Sequence, residues 1–387
     1  MNPQDPVYID LQQHLDRQAV GFPASKSRAE LKILRHIFTP REAQITTFLS
    51  YRHAPLDVIY DRVRHLVASP AELEQVLAGI LKKGGIEAKQ ENGHMLYGNA
   101  PLVVGMYELQ VDRLTPEFVR DFKKYTADRK FGLEFLGSAL PQMRTIPVAK
   151  SIRPQHRAST FDEVTALLEK SDGPFVILDC ICRKKKRMTG GDCQMTDRRE
   201  TCLGMGKMAE TVLMSDIGRE IDRAEAMAVI EANQNDGLIL QPSNTAQSDF
   251  ICSCCGCCCG MLQMHHSLPK PVDFWASNYF VRVDRVACNG CGICTRRCQA
   301  RAMDVPDKKK PVQVDLNRCL GCGHCISACP QEAITLEKKP AEVKPPESRE
   351  ALYDILKAQR KGPRGKAKLT GQLVLDMIRT GNLDLLK

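Results

Sequence analysis

The chain has 387 residues, a net charge of +9 from 55 Lys and Arg against 46 Asp and Glu, and 18 cysteines. That length holds two or three domains with their own cores, and no uninterrupted apolar stretch approaches the roughly 18 residues that a bilayer crossing needs. The cysteines fall in three blocks, Cys180 to Cys202, Cys252 to Cys259 and Cys288 to Cys329, behind an N-terminus that lacks the basic start and apolar run of a signal peptide; this argues against a secreted disulfide framework and for a reducing cytoplasm.

In chain order, "TPREAQITTFLS" opens with Thr39 as N-cap, Pro40 at the first helical position and Glu42 three residues on, with Ile45, Phe48 and Leu49 at helical spacing. "APLDVIYDRVRHLVAS" supplies a second helix. "SPAELEQVLAGILKKGG" supplies a third, capped by Ser69, with Leu73, Val76, Leu77, Ile80 and Leu81 on one face and Gly84 to stop it. Asn92-Gly93 then joins two short strand-like runs as a hairpin. Three helices and a hairpin resemble a winged helix-turn-helix. Its third helix, however, carries Glu72 and Glu74 in its first turns, and carboxylates repel phosphate. Docking or packing therefore outweighs nucleic-acid binding, which stays open as a minor alternative.

"TPEFVRDFKKYT" predicts an amphipathic helix begun by Thr115 and Pro116, followed by a Pro-punctuated connector. "STFDEVTALLEKSDG" predicts a helix with a Thr160/Glu163 capping box, and "PFVILDC" a short strand that delivers Cys180 to its end. "DRAEAMAVIEANQNDG" repeats the capping relation with Asp222 and Glu225, and "LILQPSN" is a second strand. Each of these cysteine groups then follows a strand that could place it at one edge of a small sheet. "EKKPAEVKPPE" is a linker before two short helices that suit a docking tail.

The expected fold class is α+β and multidomain. Residues 1–100 form a winged-helix-like domain, 101–158 a helical connector, 159–265 a cysteine-rich α/β middle domain, 280–339 a bacterial dicluster ferredoxin-like domain, and 340–387 a basic linker and helical tail.

"CNGCGICTRRC" and "CLGCGHCISACP" both follow C-x2-C-x2-C-x3-C, the spacing with which bacterial ferredoxins wrap 4Fe-4S clusters. Glycines between the cysteines allow unusual backbone angles and let peptide N–H groups approach the sulfides. Two zinc knuckles would need only paired cysteines and leave the repeated triplet-plus-one unexplained. In the ferredoxins that these motifs resemble, the last cysteine of each motif crosses to the other cluster. The resemblance implies that Cys288, Cys291, Cys294 and Cys329 hold one cluster, and Cys319, Cys322, Cys325 and Cys298 the other. One departure is Gln299, where a proline usually follows the first motif. From Arg282 to Lys339 there are 11 Lys and Arg against 6 Asp and Glu. Two clusters contribute about −4 that a formal count ignores, so much of this excess is local compensation and needs no nucleic acid.

Ten further cysteines remain. Cys180, Cys182, Cys193 and Cys202 read as a basic, Gly-containing loop region, with Arg183, Lys184 and Lys185 placed to stabilise thiolates or an anionic cluster. In "ICSCCGCCCG", Cys252 and Cys254 form one same-face set and Cys255, Cys257 and Cys259 another, with Cys258 beside them. Thiols packed so closely oxidise or scavenge metal unless used, which makes all ten candidate ligands of a further Fe-S cluster or zinc. They could close two four-thiolate sites with two spare, or one cluster and a redox-active thiol set. His265 and His266 lie just beyond and are left out as plain loop residues.

"GFPAS", "IFTPREA", "CICR", "CLGMG" and "ICSCCGCCC" together resemble a group of multidomain 4Fe-4S binding proteins of anaerobic bacteria and archaea. That resemblance implies anaerobic electron transfer with a redox partner protein. Two rivals stay open: an oxidoreductase whose cysteine-rich centre is fed by the ferredoxin domain, and a redox-sensing winged-helix regulator. No nucleotide loop, flavin fingerprint or catalytic triad is recognisable, and oligomeric state is not legible.

Overall fold

In the computed structural model, which describes residues 5–152, 159–307 and 310–382, helix and strand are mixed along the chain. Local chemistry sets most of the boundaries. Thr39 caps the helix Pro40–Thr46: its side chain accepts from the Glu42 N–H while the Glu42 carboxylate accepts from the Thr39 N–H, the reciprocal box that the sequence predicts. Ser69 likewise accepts from the Glu72 N–H to start Pro70–Lys82, whose Leu73, Leu77, Ile80 and Leu81 are buried. Asn92 and Gly93 take left-handed φ values of 52° and 78°, which turns Ile86–Glu91 back onto His94–Asn99. Ala54–Pro55 pairs with the outer edge of His94–Asn99, giving a three-stranded antiparallel sheet. A helix that the sequence analysis did not identify, Asp5–Asp16, buries Tyr8, Leu11 and Leu15.

The chain divides into two compact units. The first gathers the described residues up to Ala139 with Gly204–Glu220 and Glu350–Thr370. Within it the Thr211 hydroxyl donates to the Ala88 carbonyl and accepts from the Ala88 N–H, fastening the later segment to the hairpin.

The second unit holds the described residues within 140–203, 221–349 and 371–382. It is organised on the strands Phe175–Asp179, Glu200–Met205, Phe250–Cys254 and Ile239–Pro242, neighbours in that order in a five-stranded sheet whose edge strand is Arg219–Ile221. Ile239–Pro242 runs antiparallel to Phe250–Cys254, with Gln241 opposite Cys252 and Ile239 opposite Cys254. Cys252 and Cys254 thus lie on a strand rather than after one. Cys202 is also on a strand, not in a loop: Thr201, Leu203 and Met205 bury one face of Glu200–Met205 and leave Cys202 on the other. The Thr160/Glu163 capping box does not form. Residues Thr160–Asp162 make a 3-10 turn before the helix Val164–Lys170. The turn is held by Asp162, whose buried carboxylate accepts from Arg144 Nε at 3.3 Å and Asn278 Nδ2 at 2.9 Å. The last part of the unit pairs Tyr279–Val283 with Ile334–Lys338, and Met303–Asp304 with Gln313–Val314, around two short helices, Ile293–Arg297 and His324–Ser327. Among the described residues no helix is long and apolar enough to cross a membrane.

Candidate metal centres

The two C-x2-C-x2-C-x3-C motifs fold alike because each is led by an aspartate. Asp284 Oδ1 accepts the N–H groups of Val286 at 2.8 Å and Ala287 at 3.2 Å, and its carbonyl accepts the Cys288 N–H at 3.0 Å. Asp315 repeats this with Asn317 at 2.9 Å and Cys319 at 3.0 Å. Between the cysteines, Gly290 and Gly292 have φ of 70° and 71°, and Gly321 and Gly323 have 63° and 79°. These left-handed residues let three successive thiols turn to one side.

Cys288, Cys291 and Cys294 line one small pocket with Cys329, walled by Ile293, Val312, Pro330 and Ile334. The last cysteine of the second motif has therefore come to the first triplet. Conversely, the charges of Cys298 and Cys319 both act on Cys322, and those of Cys322, Cys298 and Cys319 on Cys325. Burial pushes the Cys294 thiol up to about 11 and Cys322 up to about 12, and raises Cys298, Cys319 and Cys325 as well. Thiols clustered in so apolar a setting ionise when a metal takes the place of their protons. Residues 280–346 match the family model of the 4Fe-4S dicluster domain. The protein is a 4Fe-4S binding protein. Among curated proteins no match to the chain is found.

The dicluster domain leaves little freedom at its glycines. A Cβ on Gly321 would overlap the Tyr279 carbonyl, and its φ of +63° strains any other residue. Gly321→Ala is expected to cost about four iron and four sulfide per chain by disabling the triplet around it. Iron and sulfide analysis checks this, and an unchanged content would refute it.

The ten middle cysteines sort into two sets. Cys193, Cys255, Cys257 and Cys258 have sulfurs all within 4.8 Å of one another. Cys193 lies 3.6 Å from Cys255 and 3.8 Å from Cys257, and Cys257 lies 3.6 Å from both Cys255 and Cys258. Four thiolates at Zn–S distances around one tetrahedral ion stand about 3.8 Å apart, so this set has the size of a single-ion site. Hydrogen bonding from Cys258, with Arg183 and other thiols adding to it, holds the Cys255 thiol down at about 5, against the opposing effect of burial. The other set is Cys180, Cys182, Cys202, Cys252, Cys254 and Cys259. Cys259 therefore leaves the face expected for it beside Cys255 and Cys257, because it becomes the N-cap of the helix Gly260–Ser267.

Arg183 lies beside both sets. Its guanidinium is buried, donates to Thr201, to the Ser253 carbonyl at 3.0 Å and to Cys255 Sγ at 3.9 Å, and its Nε has no partner. No carboxylate pairs with it among the described residues. A buried cation without a counterion costs several kcal/mol, which thiolates or a cluster would offset. The rest of the basic run lies on the same helix, Ile181–Met188, with Arg187 exposed.

Two links join the dicluster domain to the four-thiol set, and both start beside cysteines of the two motifs. Gln299, next to Cys298, accepts the Gly256 N–H at 2.8 Å through Oε1 and donates from Nε2 to Met195 Sδ at 2.9 Å. His324, between Cys322 and Cys325, bonds through Nε2 to the Leu238 carbonyl at 2.9 Å, and Leu238 packs on Cys255 and Cys258. Burial lowers the His324 imidazole to about 4, so it is neutral and donates here. Gln299 stood out in the sequence only as a missing proline, and His324, Leu238 and Met195 gave no signal. His265 and His266 reach the carbonyls of Arg318 and Gln299, not the thiols. On its outer side Cys257 lines an open cleft of about 710 Å³ with Lys186, Gln194, His266 and Arg301.

Proposed function

We propose that the protein relays single electrons through two 4Fe-4S clusters toward a third metal centre. The first cluster is held by Cys288, Cys291, Cys294 and Cys329, the second by Cys319, Cys322, Cys325 and Cys298. The third centre is an iron ion held by Cys193, Cys255, Cys257 and Cys258. The observation that carries the order of the centres is the pair of links through Gln299 and His324, which both join the loops of the second cluster's cysteines to the four-thiol loop. The dicluster supplies the redox chemistry, and the protein tunes it by burial, N–H groups and charge. Lys186 and Arg301 on the cleft beside Cys257, with no carboxylate among its lining residues, suit an acidic face of a redox partner.

The N-terminal helices and hairpin support a winged-helix arrangement. In the helix that would face DNA, Glu72 is tied to Arg41 at 2.5 Å, which favours protein docking over nucleic acid. Metal and sulfide analysis of anaerobically purified protein with a reductive titration tests the relay. The two cubanes are expected to contribute about eight iron and eight sulfide, and the four-thiol set one further iron without sulfide. Iron well below eight would overturn the relay, and one zinc in place of that further iron would end it at the second cluster.

A further inference from the structure

The six cysteines outside the four-thiol set close on one another. The sheet order sets Cys180, at the end of Phe175–Asp179, beside Cys202 on Glu200–Met205 and Cys252 and Cys254 on Phe250–Cys254, and electrostatically Cys180 acts on Cys182 and Cys202, Cys259 on Cys182 and Cys254, and Cys252 on Cys254 and Cys202. We infer that this ring of six thiols is a second, separate metal site of the middle region, built for a polynuclear iron–sulfur cluster rather than a single ion.

Three observations carry it. The first is size. Among the described residues the only group of three or more ligand atoms lying mutually within 4.8 Å is the four-thiol set, so no three ring sulfurs converge as a mononuclear tetrathiolate requires. Six thiols gathered on neighbouring elements without a single-ion grouping suit a site that spans several metal atoms. The second is anchoring. The thiols come from the start of the helix Ile181–Met188, the strands Glu200–Met205 and Phe250–Cys254, and the N-cap of Gly260–Ser267. A site held on sheet strands and helix starts keeps its geometry better than one on loops. The third is charge. The buried Arg183, with an unpartnered Nε and no carboxylate partner among the described residues, lies close enough to Cys180, Cys202 and Cys255 for each to act on it, so one guanidinium serves both sets. An anionic cluster in the ring supplies the counter-charge that neutral thiols do not.

The division also explains the crowding in "ICSCCGCCCG". Cys252, Cys254 and Cys259 turn to the ring while Cys255, Cys257 and Cys258 turn to the single-ion site, so adjacent cysteines serve different centres. The choice of iron and sulfide rests on the reading of this chain as an iron–sulfur protein; the existence of a second site does not.

The test uses the full chain purified anaerobically, with iron, zinc and sulfide analysis and native mass spectrometry of the wild type and two double variants. Cys182→Ser with Cys254→Ser is expected to lose more than one iron together with sulfide, while the single ion of the four-thiol set stays. Cys255→Ser with Cys257→Ser is expected to lose that ion alone and keep all sulfide. If the ring variant does not fold, the wild-type native mass decides: it must exceed the chain plus the dicluster and one ion by a cluster. The inference is overturned if that mass is fully accounted for without one, if the ring variant keeps every metal and sulfide, or if a non-reduced digest shows ring cysteines paired as disulfides. Failure of the electron relay would look different, as iron below the dicluster's own complement.

Discussion

Serine at Cys255 and Cys257 together is expected to strip one metal ion from each chain while about eight iron and eight sulfide of the dicluster remain. Cys257 touches Cys193, Cys255 and Cys258, and Cys255 is the thiol that Arg183 reaches, so the pair removes both the hub of the set and the thiol held by the buried guanidinium. Structural thiolate sites carry apparent binding energies of about 10–16 kcal/mol at neutral pH, and two hydroxyls in place of thiolates forfeit most of that. The loss should extend to the backbone. Cys193 is tied to Cys255 across 62 positions, and Gln194 donates its N–H to Cys257 Sγ at 3.4 Å, so the segment between the helix Ile181–Met188 and the strand Glu200–Met205 loses its fastening. Faster proteolysis or hydrogen exchange there should accompany the metal loss. An unchanged metal count and an unchanged protection pattern would sink the single-ion assignment.

Much of this architecture is legible in the sequence, and the limit is instructive. Thr39, Ser69, Thr115 and Asp222 each accept from a first-turn N–H as their spacing to the following residues implies, because a helix start is decided within about one turn of chain. The Asn92-Gly93 hairpin is equally local. The ferredoxin motifs are legible because their ligands sit at fixed short spacings on glycine turns. The Thr160/Glu163 box failed because Asp162, between them, is claimed by Arg144 and Asn278 from 18 and 116 positions away. Likewise the sorting of ten cysteines into four and six could not be read from alternation alone. Strand periodicity fixes the faces of Cys252 and Cys254, but beyond Gly256 the chain turns into a helix, and Cys193 arrives from the irregular segment between the helix Ile181–Met188 and the strand Glu200–Met205. Gln299 shows the same lesson from the other side. What reads as a lost proline is a side chain used on both ends, toward Gly256 and Met195, and proline could make neither bond.

The cross-assignment of the dicluster ligands predicts a pattern of double variants that assignment within each motif cannot mimic. Cys329→Ser is expected to damage the cluster of Cys288, Cys291 and Cys294, whose cavity Cys329 completes, although the substitution lies in the other motif. Cys298→Ser is expected to damage the cluster of Cys319, Cys322 and Cys325. Each single variant should lose on the order of one iron and alter the EPR signal of one cluster, since a cubane that loses a corner ligand releases that corner first. Cys291 is exposed whereas Cys319 and Cys325 are buried, so the cluster spoiled by Cys329→Ser should also be the one that a soluble oxidant reaches first in the wild type. Combining the substitutions separates the two ligand schemes. Cys329→Ser with Cys288→Ser should fall on one cluster and leave the second signal intact, whereas Cys329→Ser with Cys319→Ser should cost both. Two substitutions in one cubane share a loss, and two in different cubanes add, which is the logic of any coupled pair. If the first combination abolished both signals and the second only one, each motif would hold its own cluster, and the link from Cys298 through Gln299 would start from the first cluster instead of the second.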